Sequence, residues 1–444
     1  MTKQPGDTSS NRTSSNRWAV AGLVCLACAV AAILVFKPDP GSKLRAELQG
    51  ERLKKILSLS PVPPPPPDPS NAYADDPKAA ALGHRLFFDT RLSGTGTVSC
   101  ATCHQPKHAL TSPTPKSQGL GMTERNAPGL LGIAHQRWFY WDGRKDSLWA
   151  QCTEPLEHPA EHGTSRTAVV QLLSQHYRQE YEAIFGTLPA AKILKELDAR
   201  ARPDPDAPKS PHHLAWQSFS PKLQEELTRG FVNLCKAVGA YQRKLQPMNS
   251  PFDDYVAARR AGDPTGGNHI SRQAERGLEL FVDRAKCILC HNGPMLSDRS
   301  FHNLGLPSQS ALSRCQTHNC LPDQGREHGA EELLKDEFNC NSSHSDAKEC
   351  KELGYLNASF EDFKGAFKTP SLRSVKETAP YMHSGEFSDL KAVMTFYNTL
   401  PGEADYGHRE LFLRPLKLRP VDLRDIIAFM ESLSSPENPW AKPP

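Results

Sequence analysis

The chain has 444 residues, enough for two or three domains, and 53 Lys and Arg against 50 Asp and Glu leave a net charge of +3. That near balance excludes an electrostatic footprint for nucleic acid, and ordinary apolar content allows real cores. The 38 Pro point to loops and linkers rather than a long helical repeat, and the 12 Cys need sorting by position.

Residues 1–17 precede "WAVAGLVCLACAVAAILVF" (18–36), 19 residues without a charge. As a helix this run is about 28 Å long, close to the hydrocarbon thickness of a bilayer. Lys3, Arg12 and Arg17 lie before it and Lys37, Lys43, Arg45 and Arg52 after it, so charge alone does not orient it. The reading is a transmembrane anchor with a cytoplasmic segment 1–17. The alternative is a signal peptide cut near Ala29-Val30-Ala31. Both export the remainder, which makes the expected location periplasmic. Residues 37–71 read as a linker: a short charged helix over 44–59, then "PVPPPPPDP" (61–69), a polyproline spacer of roughly 28 Å.

"SCATCH" (99–104) comes next, and "AKCILCHNGPMLSD" (285–298) repeats its pattern. Two thiols at this spacing reach the two vinyl edges of one porphyrin, and the adjacent histidine places its imidazole beneath the iron. A zinc site needs two more ligands, and a thioredoxin-like motif has no need of the histidine. Each motif follows a helical pattern. Ala79, Leu82, Leu86 and Phe87 form the first, and Ala274, Gly277, Leu278 and Phe281 the second. Further helices are predicted over 226–245 and 421–433. The fold class is therefore mainly α. Two cytochrome c-like domains stand in tandem, 72–250 and 251–436, each with one covalently bound haem, after the transmembrane helix and proline-rich linker. The second carries a Cys-rich insertion, 307–352, where Cys315, Cys320, Cys340 and Cys350 form two disulfides in one of three pairings. The insertion reads as too polar for a core of its own. A metal site using His318, His328 or His344 is the alternative.

The segments "LGHRLFFDTRLSGTGTVSCATCH", "RNAPGLLGIAHQRWFYWDGR", "PLEHPAEHG", "CILCHNGP" and "FKTPSLRSVKETAPYMHSGEF" together resemble the bacterial dihaem cytochrome c peroxidase and MauG family over about residues 72–436. The resemblance implies a peroxide-reacting haem on Cys100 and Cys103 with His104 as axial ligand. It implies an electron-transfer haem on Cys287 and Cys290 with His291. Trp141 matches a residue between the haems that assists electron passage. Glu161 matches the acid–base carboxylate over the first iron, and Gln151 and Pro155 match residues lining that pocket. Such a carboxylate is needed because peroxide loses a proton on binding and its distal oxygen gains one on leaving as water. Glu154 and Glu157 read as solvated, and His158 and His162 are the rival acid–base groups. Asn126, Thr378 and Pro380 match a calcium site, whose amide and carbonyl oxygens suit that cation. His383 belongs with the surroundings of the second haem.

Two departures stand out. After His108 no histidine appears until His135, so the loop that blocks the first iron in typical dihaem peroxidases lacks its ligand here. In "LKAVMTFYNTL", Tyr397 stands where methionine is the usual sixth ligand of the second haem, as in MauG, with Met394 a competitor three positions away. The expected function is reduction of hydrogen peroxide at the N-terminal haem. Electrons come from a small cytochrome c or cupredoxin through the C-terminal haem. A MauG-like oxidase and a non-enzymatic electron-transfer cytochrome are the alternatives. The expected cofactors are two haem c groups and one calcium ion.

Overall fold

The computed structural model describes residues 40–306 and 322–444, with side chains from residue 48 onward. The predicted span 18–36, the segment 1–17, and Cys25, Cys28, Cys315 and Cys320 lie outside the described residues. Among the described residues no helix is long and apolar enough to cross a membrane. Residues 40–54 fall in one unit, and residues from Lys55 onward form a second that holds both Cys-x-x-Cys-His motifs.

The protein is mainly helical. The elements that position the site are α1 (Pro40–Leu57), α2 (Pro77–Phe87), α3 (Cys100–Cys103), α4 (Ala150–Glu157), α5 (Pro221–Gln242), α6 (Pro251–Arg260), α7 (Arg272–Val282), α8 (Arg326–Lys335), α9 (Leu390–Thr399) and α10 (Pro420–Glu431). Two short strands, β1 (Phe301–His302) and β2 (Phe367–Lys368), pair antiparallel with Phe301 opposite Lys368.

Local chemistry sets the helix starts. The Asp76 carboxylate accepts from the backbone of Lys78 and Ala79, with Pro77 at the first helical position of α2. Ser271 caps α7 and Ser220 caps α5 in the same way. Each capped helix then buries an apolar stripe, Ala79–Leu82–Leu86–Phe87 on α2 and Ala274–Leu278–Phe281 on α7.

Glycines decide what those stripes meet. A Cβ on Gly83 would lie 1.9 Å from the carbonyl oxygen of Ala237, and one on Gly277 would lie 1.9 Å from that of Asp425. So α2 crosses α5, and α7 crosses α10, backbone against side-chain-free backbone. The two crossings expose a register that counting apolar positions missed: "AALGHRLFFD" (80–89) and "AERGLELFVD" (274–283) align with Gly on Gly and Phe87 on Phe281. Two hydrophobic cores result. The first gathers Leu86, Phe87, Trp149, Phe231 and Tyr241, and the second gathers Phe252, Leu278, Phe281, Ile426 and Phe429. Each fully buried Phe contributes about 2–3 kcal/mol.

The proline stretch is not a free spacer. Ile56 and Leu59 are buried in the second core. Ser60 donates to Asp253 at 2.6 Å, and Arg243 donates to the Pro66 carbonyl at 2.8 Å. The Asn71 amide donates to the Lys236 carbonyl at 3.0 Å. Arg373 ties this run down: it pairs with Asp253 at 2.7 Å and donates to the Leu59 carbonyl at 2.9 Å. Residues 59–71 therefore run along the body.

The insertion is also woven in rather than held by cross-links alone. Cys340 and Cys350 form a disulfide. Arg326 of α8 is 1% exposed, with its guanidinium 4.4 Å from the Phe301 ring and 4.7 Å from that of Trp138, and it donates to the Gly143 carbonyl. Asp323 receives two bonds from Arg125, at 3.0 and 2.7 Å, and Phe338 joins the first core. The tail beyond residue 436 also has a place. Asn438 donates to the carbonyls of Lys244 and Gln246, and Ala441 enters the first core.

Candidate active site

The two Cys-x-x-Cys-His runs are set up alike. His104 donates its Nδ1 proton to the Leu110 carbonyl at 3.0 Å, and His291 does so to the Leu296 carbonyl at 2.9 Å. A carbonyl only accepts, so with the proton on Nδ1 the Nε2 atom is the one that would ligate a metal. Burial pushes both imidazoles down, keeping them neutral. The two acceptor residues share an unusual backbone: Leu110 has φ 61° and Leu296 φ 47°. A left-handed leucine is strained, and here the strain aims a carbonyl at the ligand histidine. Sequence offered no signal for it. Cys100, Cys103, Cys287 and Cys290 carry no disulfide. Burial holds the Cys103 thiol at about 11 and the Cys287 thiol at about 12, so both stay protonated.

Cys100, Cys103 and His104 line a small cavity of about 50 Å³ together with Gln151, Pro155, Glu161 and His162. The predicted N-terminal constellation is thus brought together. Glu161 reaches it from the turn after α4. Its carboxyl is raised to about 7, by burial first and by the Glu154 charge second, with Arg144 partly offsetting. The loop after His104 folds onto that turn: Leu120 donates to the Glu161 carbonyl at 3.1 Å, and Gly121 to the Ala160 carbonyl at 2.9 Å. His135, the next histidine along, is bonded to Gln246 instead.

The neighbouring acids differ from their solvated reading. Glu154 takes Arg144 at 2.9 Å. Glu157 is largely buried, faces Arg166 at 3.5 Å, and is raised by burial. Their partners lie far off or inward, where local sequence shows nothing. Of the rival histidines, His158 lies 3.9 Å from Glu161 and is 42% exposed at its side chain. His162 donates Nδ1 to the Pro155 carbonyl at 3.2 Å, with Nε2 3.9 Å from Cys100 Sγ. Burial pushes it to about 4, so it is neutral at working pH and its Nε2 only accepts.

The second motif opens on a cavity of about 530 Å³, lined by Cys287, Cys290, His291, Met394 and Tyr397. Asn126, Thr378, Pro380 and His383 line it too. Burial raises the Tyr397 phenol, with Cys287 and Cys290 adding to the shift. Asn126 donates its amide to the Thr114 carbonyl at 2.8 Å, and Thr378 its hydroxyl to the Val375 carbonyl at 3.0 Å. Each is left with oxygens as donors to a cation. His383 stacks on Phe367 at 3.6 Å.

Trp141 lines the larger cavity and donates Nε1 to the Asn126 carbonyl at 2.8 Å. Its own carbonyl accepts from the Lys368 backbone at 2.8 Å. Tyr140, the residue before Trp141, lines the same cavity while its hydroxyl donates to the Gln151 carbonyl at 2.8 Å. It spans from the larger cavity to a residue of the smaller. A φ of 67° turns it there, under the Arg144 guanidinium at 3.6 Å. Lys368 donates to the Trp138 carbonyl at 2.5 Å, and burial brings its amine down to about 7.

Beside the second motif, among the described residues, the zinc alternative finds the group Cys290, Asp298 and His302. His302 is unsuited to it, because its ring nitrogens already meet Asp298 at 2.8 Å and Glu410 at 2.7 Å. The Asp298 carboxylate first, with Cys290 and Glu410 adding, raises His302 from 6.5 to about 11. A raised folded pKa gives stability that is full below 6.5 and lost as pH climbs through 11. The stability difference between wild type and His302→Gln, measured by urea unfolding, should therefore shrink steadily from pH 7 to pH 10.

The donor sets fit two covalent haems: paired free thiols, and histidines preset to ligate through Nε2. The larger cavity is within the size range of cofactor pockets. The smaller one gathers the same donors in less space, so a porphyrin there requires its lining side chains to draw back. A helical chain with two such donor sets, one beside a buried carboxyl, defines a dihaem c-type oxidoreductase.

The comparisons with known proteins agree. The family described as di-haem cytochrome c peroxidase matches residues 77–261. The chain is 32% identical to the cytochrome-c peroxidase IdrP1 of Denitromonas iodatirespirans, over 86% of this chain and 88% of that protein. It is 28% identical to the methylamine utilization protein MauG of Methylorubrum extorquens, over 81% and 79%. In fold it resembles the diheme peroxidase BthA of Burkholderia thailandensis, with a TM-score of 0.60 at 23% identity, covering 84% of this chain and 90% of that one. The protein belongs to the dihaem cytochrome c peroxidase/MauG family, and membership implies two haem c groups.

Proposed function

We propose that the protein reduces hydrogen peroxide at a haem held by Cys100, Cys103 and His104, with electrons arriving through a haem held by Cys287, Cys290 and His291. The observation that carries this reading is Glu161, a buried carboxyl poised near pH 7 on the cavity that holds Cys100, Cys103 and His104. The haem iron supplies the redox chemistry. The chain supplies the proton: Glu161 takes it from incoming peroxide and returns it to the leaving oxygen. His162 accepts but does not donate at that point, and Gln151 presents its amide to the same space. Trp141 and Tyr140 carry the electron route between the two sites. The donor is a small cytochrome c or copper protein.

A second reading, MauG-like oxidation of a protein side chain, is favoured by one observation. Tyr397 lines the cavity of the second motif, and a hard phenolate ligand favours higher iron oxidation states. Met394 in the same lining would make an ordinary relay instead. Asn126, Thr378 and Pro380 are proposed to hold one calcium ion, and 18–36 to anchor a periplasmic body in the inner membrane. The test is spectroscopy of the purified ferric holoprotein, with and without cyanide and peroxide. One haem should bind cyanide and respond to peroxide. Two six-coordinate low-spin haems inert to both would rule the reading out and leave an electron-transfer cytochrome. Rapid turnover with a reduced donor, against a long-lived oxidised state shared by both haems, separates the first reading from the second.

A further inference from the structure

An aromatic chain with no part in the proton chemistry of Glu161 leads away from the first haem motif. The Phe87 ring lies 6.4 Å from His104 and 5.1 Å from Tyr241. The Tyr241 ring lies 6.4 Å from Trp440, and its hydroxyl donates to the Trp440 carbonyl at 2.9 Å. His84 bridges them, stacked 4.9 Å from Tyr241 and tilted 5.4 Å from Trp440. Tyr241 is fully buried, and the nearby Cys100 contributes to the upward shift of its phenol. Trp440 is half-buried and reaches solvent.

The tail holds this arrangement firmly. Asn438 is fixed to the carbonyls of Lys244 and Gln246, and its own side-chain oxygen accepts from the Trp440 backbone at 2.8 Å. A tail that needed only an apolar plug has one in Ala441. An indole set in series with a buried phenol beside the haem ligand set adds a path for charge. Tyrosine and tryptophan are the side chains whose rings give up an electron most readily, and ring separations of this size let electrons pass between them.

We infer that Tyr241 and Trp440 form a one-electron conduit from the Cys100–His104 site to the surface, and that Trp440 is a second oxidation site for small electron-rich phenols. This rests on the proposed peroxide chemistry. Each event removes one electron from the Trp440 indole and releases its ring proton to water. A phenol giving up one electron and one proton restores it. Two events supply two electrons, and with two protons from solvent one hydrogen peroxide becomes two waters.

The test uses the holoprotein and two substitutions that preserve ring packing, Trp440→Phe and Tyr241→Phe. Wild type given peroxide without a reductant should gain oxygen atoms at Trp440, read by peptide mass spectrometry. Guaiacol should suppress that gain while being oxidised itself. Trp440→Phe should lower guaiacol oxidation by about tenfold or more, with unchanged peroxide-driven oxidation of a reduced cytochrome c and an unchanged melting temperature. Tyr241→Phe should protect Trp440 from oxygen gain. Peroxide altering the haem spectrum while Trp440 stays unmodified would overturn the conduit alone. No spectral response to peroxide would overturn both the conduit and the reading beneath it.

Discussion

Glu161→Gln is expected to slow the reaction with hydrogen peroxide by about 10²- to 10⁴-fold, the usual worth of a placed acid–base group. The amide keeps the shape of the side chain and removes its ability to ionise. Stopped-flow mixing of the ferric holoprotein with peroxide measures the effect. In wild type the rate should rise with pH through about 7, where Glu161 ionises and becomes able to take the proton. In the variant that inflection should vanish. A variant within threefold of wild type, with the inflection intact, would remove Glu161 from the role. Stability should move the opposite way. The folded pKa lies above the ordinary 4.5, so the fold resists ionisation of Glu161 and loses stability as pH rises from 4.5 to 7. Wild type and variant should therefore melt alike below pH 4.5, and the variant should melt higher above pH 7.

The second large effect concerns folding. Gly277→Ala puts a methyl carbon 1.9 Å from the Asp425 carbonyl oxygen and 2.4 Å from its carbon, both backbone atoms that no rotamer change can move. Relief requires α7 and α10 to separate by more than about 1 Å along their crossing, pulling Phe281 from Phe429, whose rings now lie 5.0 Å apart. A loss of about 3 kcal/mol or more is expected, read as a lowered urea midpoint. Gly83→Ala should do the same at Ala237. Gly354→Ala, which meets nothing within 4 Å, should stay within about 0.5 kcal/mol of wild type. Equal midpoints for Gly277→Ala and Gly354→Ala would show that the crossing does not depend on the glycine.

Much of the helical plan and the two donor sets were readable because both rest on spacing. Cys-x-x-Cys-His is local, and an amphipathic stripe repeats every turn. Glu161 and Gln151 could be singled out only through resemblance, since several carboxylates and histidines crowd the same ten residues. Gly83 was passed over because a hydrophobic count gives glycine no weight, and Gly277 was counted only as a place in an apolar stripe, although their alignment is plain once the crossings are seen. The burial of Glu157 was invisible because the compensating arginine, Arg166, lies beyond the next turn and its approach is tertiary. Leu110, Leu296 and Tyr140 owe their roles to positive φ, a backbone state that no preference of leucine or tyrosine announces. The proline run read as a spacer because its composition is right for one; its fastening to Asp253, Arg373 and Arg243 comes from residues far along the chain.

The tail that carries Trp440 has a bearing on how the molecule is made. Ala441 and Phe338 belong to the first core, yet both are translated after nearly all of that core. As the chain emerges from its N-terminal side, α2 and α5 come together around an incomplete interior, with Tyr241 lacking its cover. Until Ala441 and Phe338 are made, the first core lacks both of these side chains, so completing the first half depends on residues of the second.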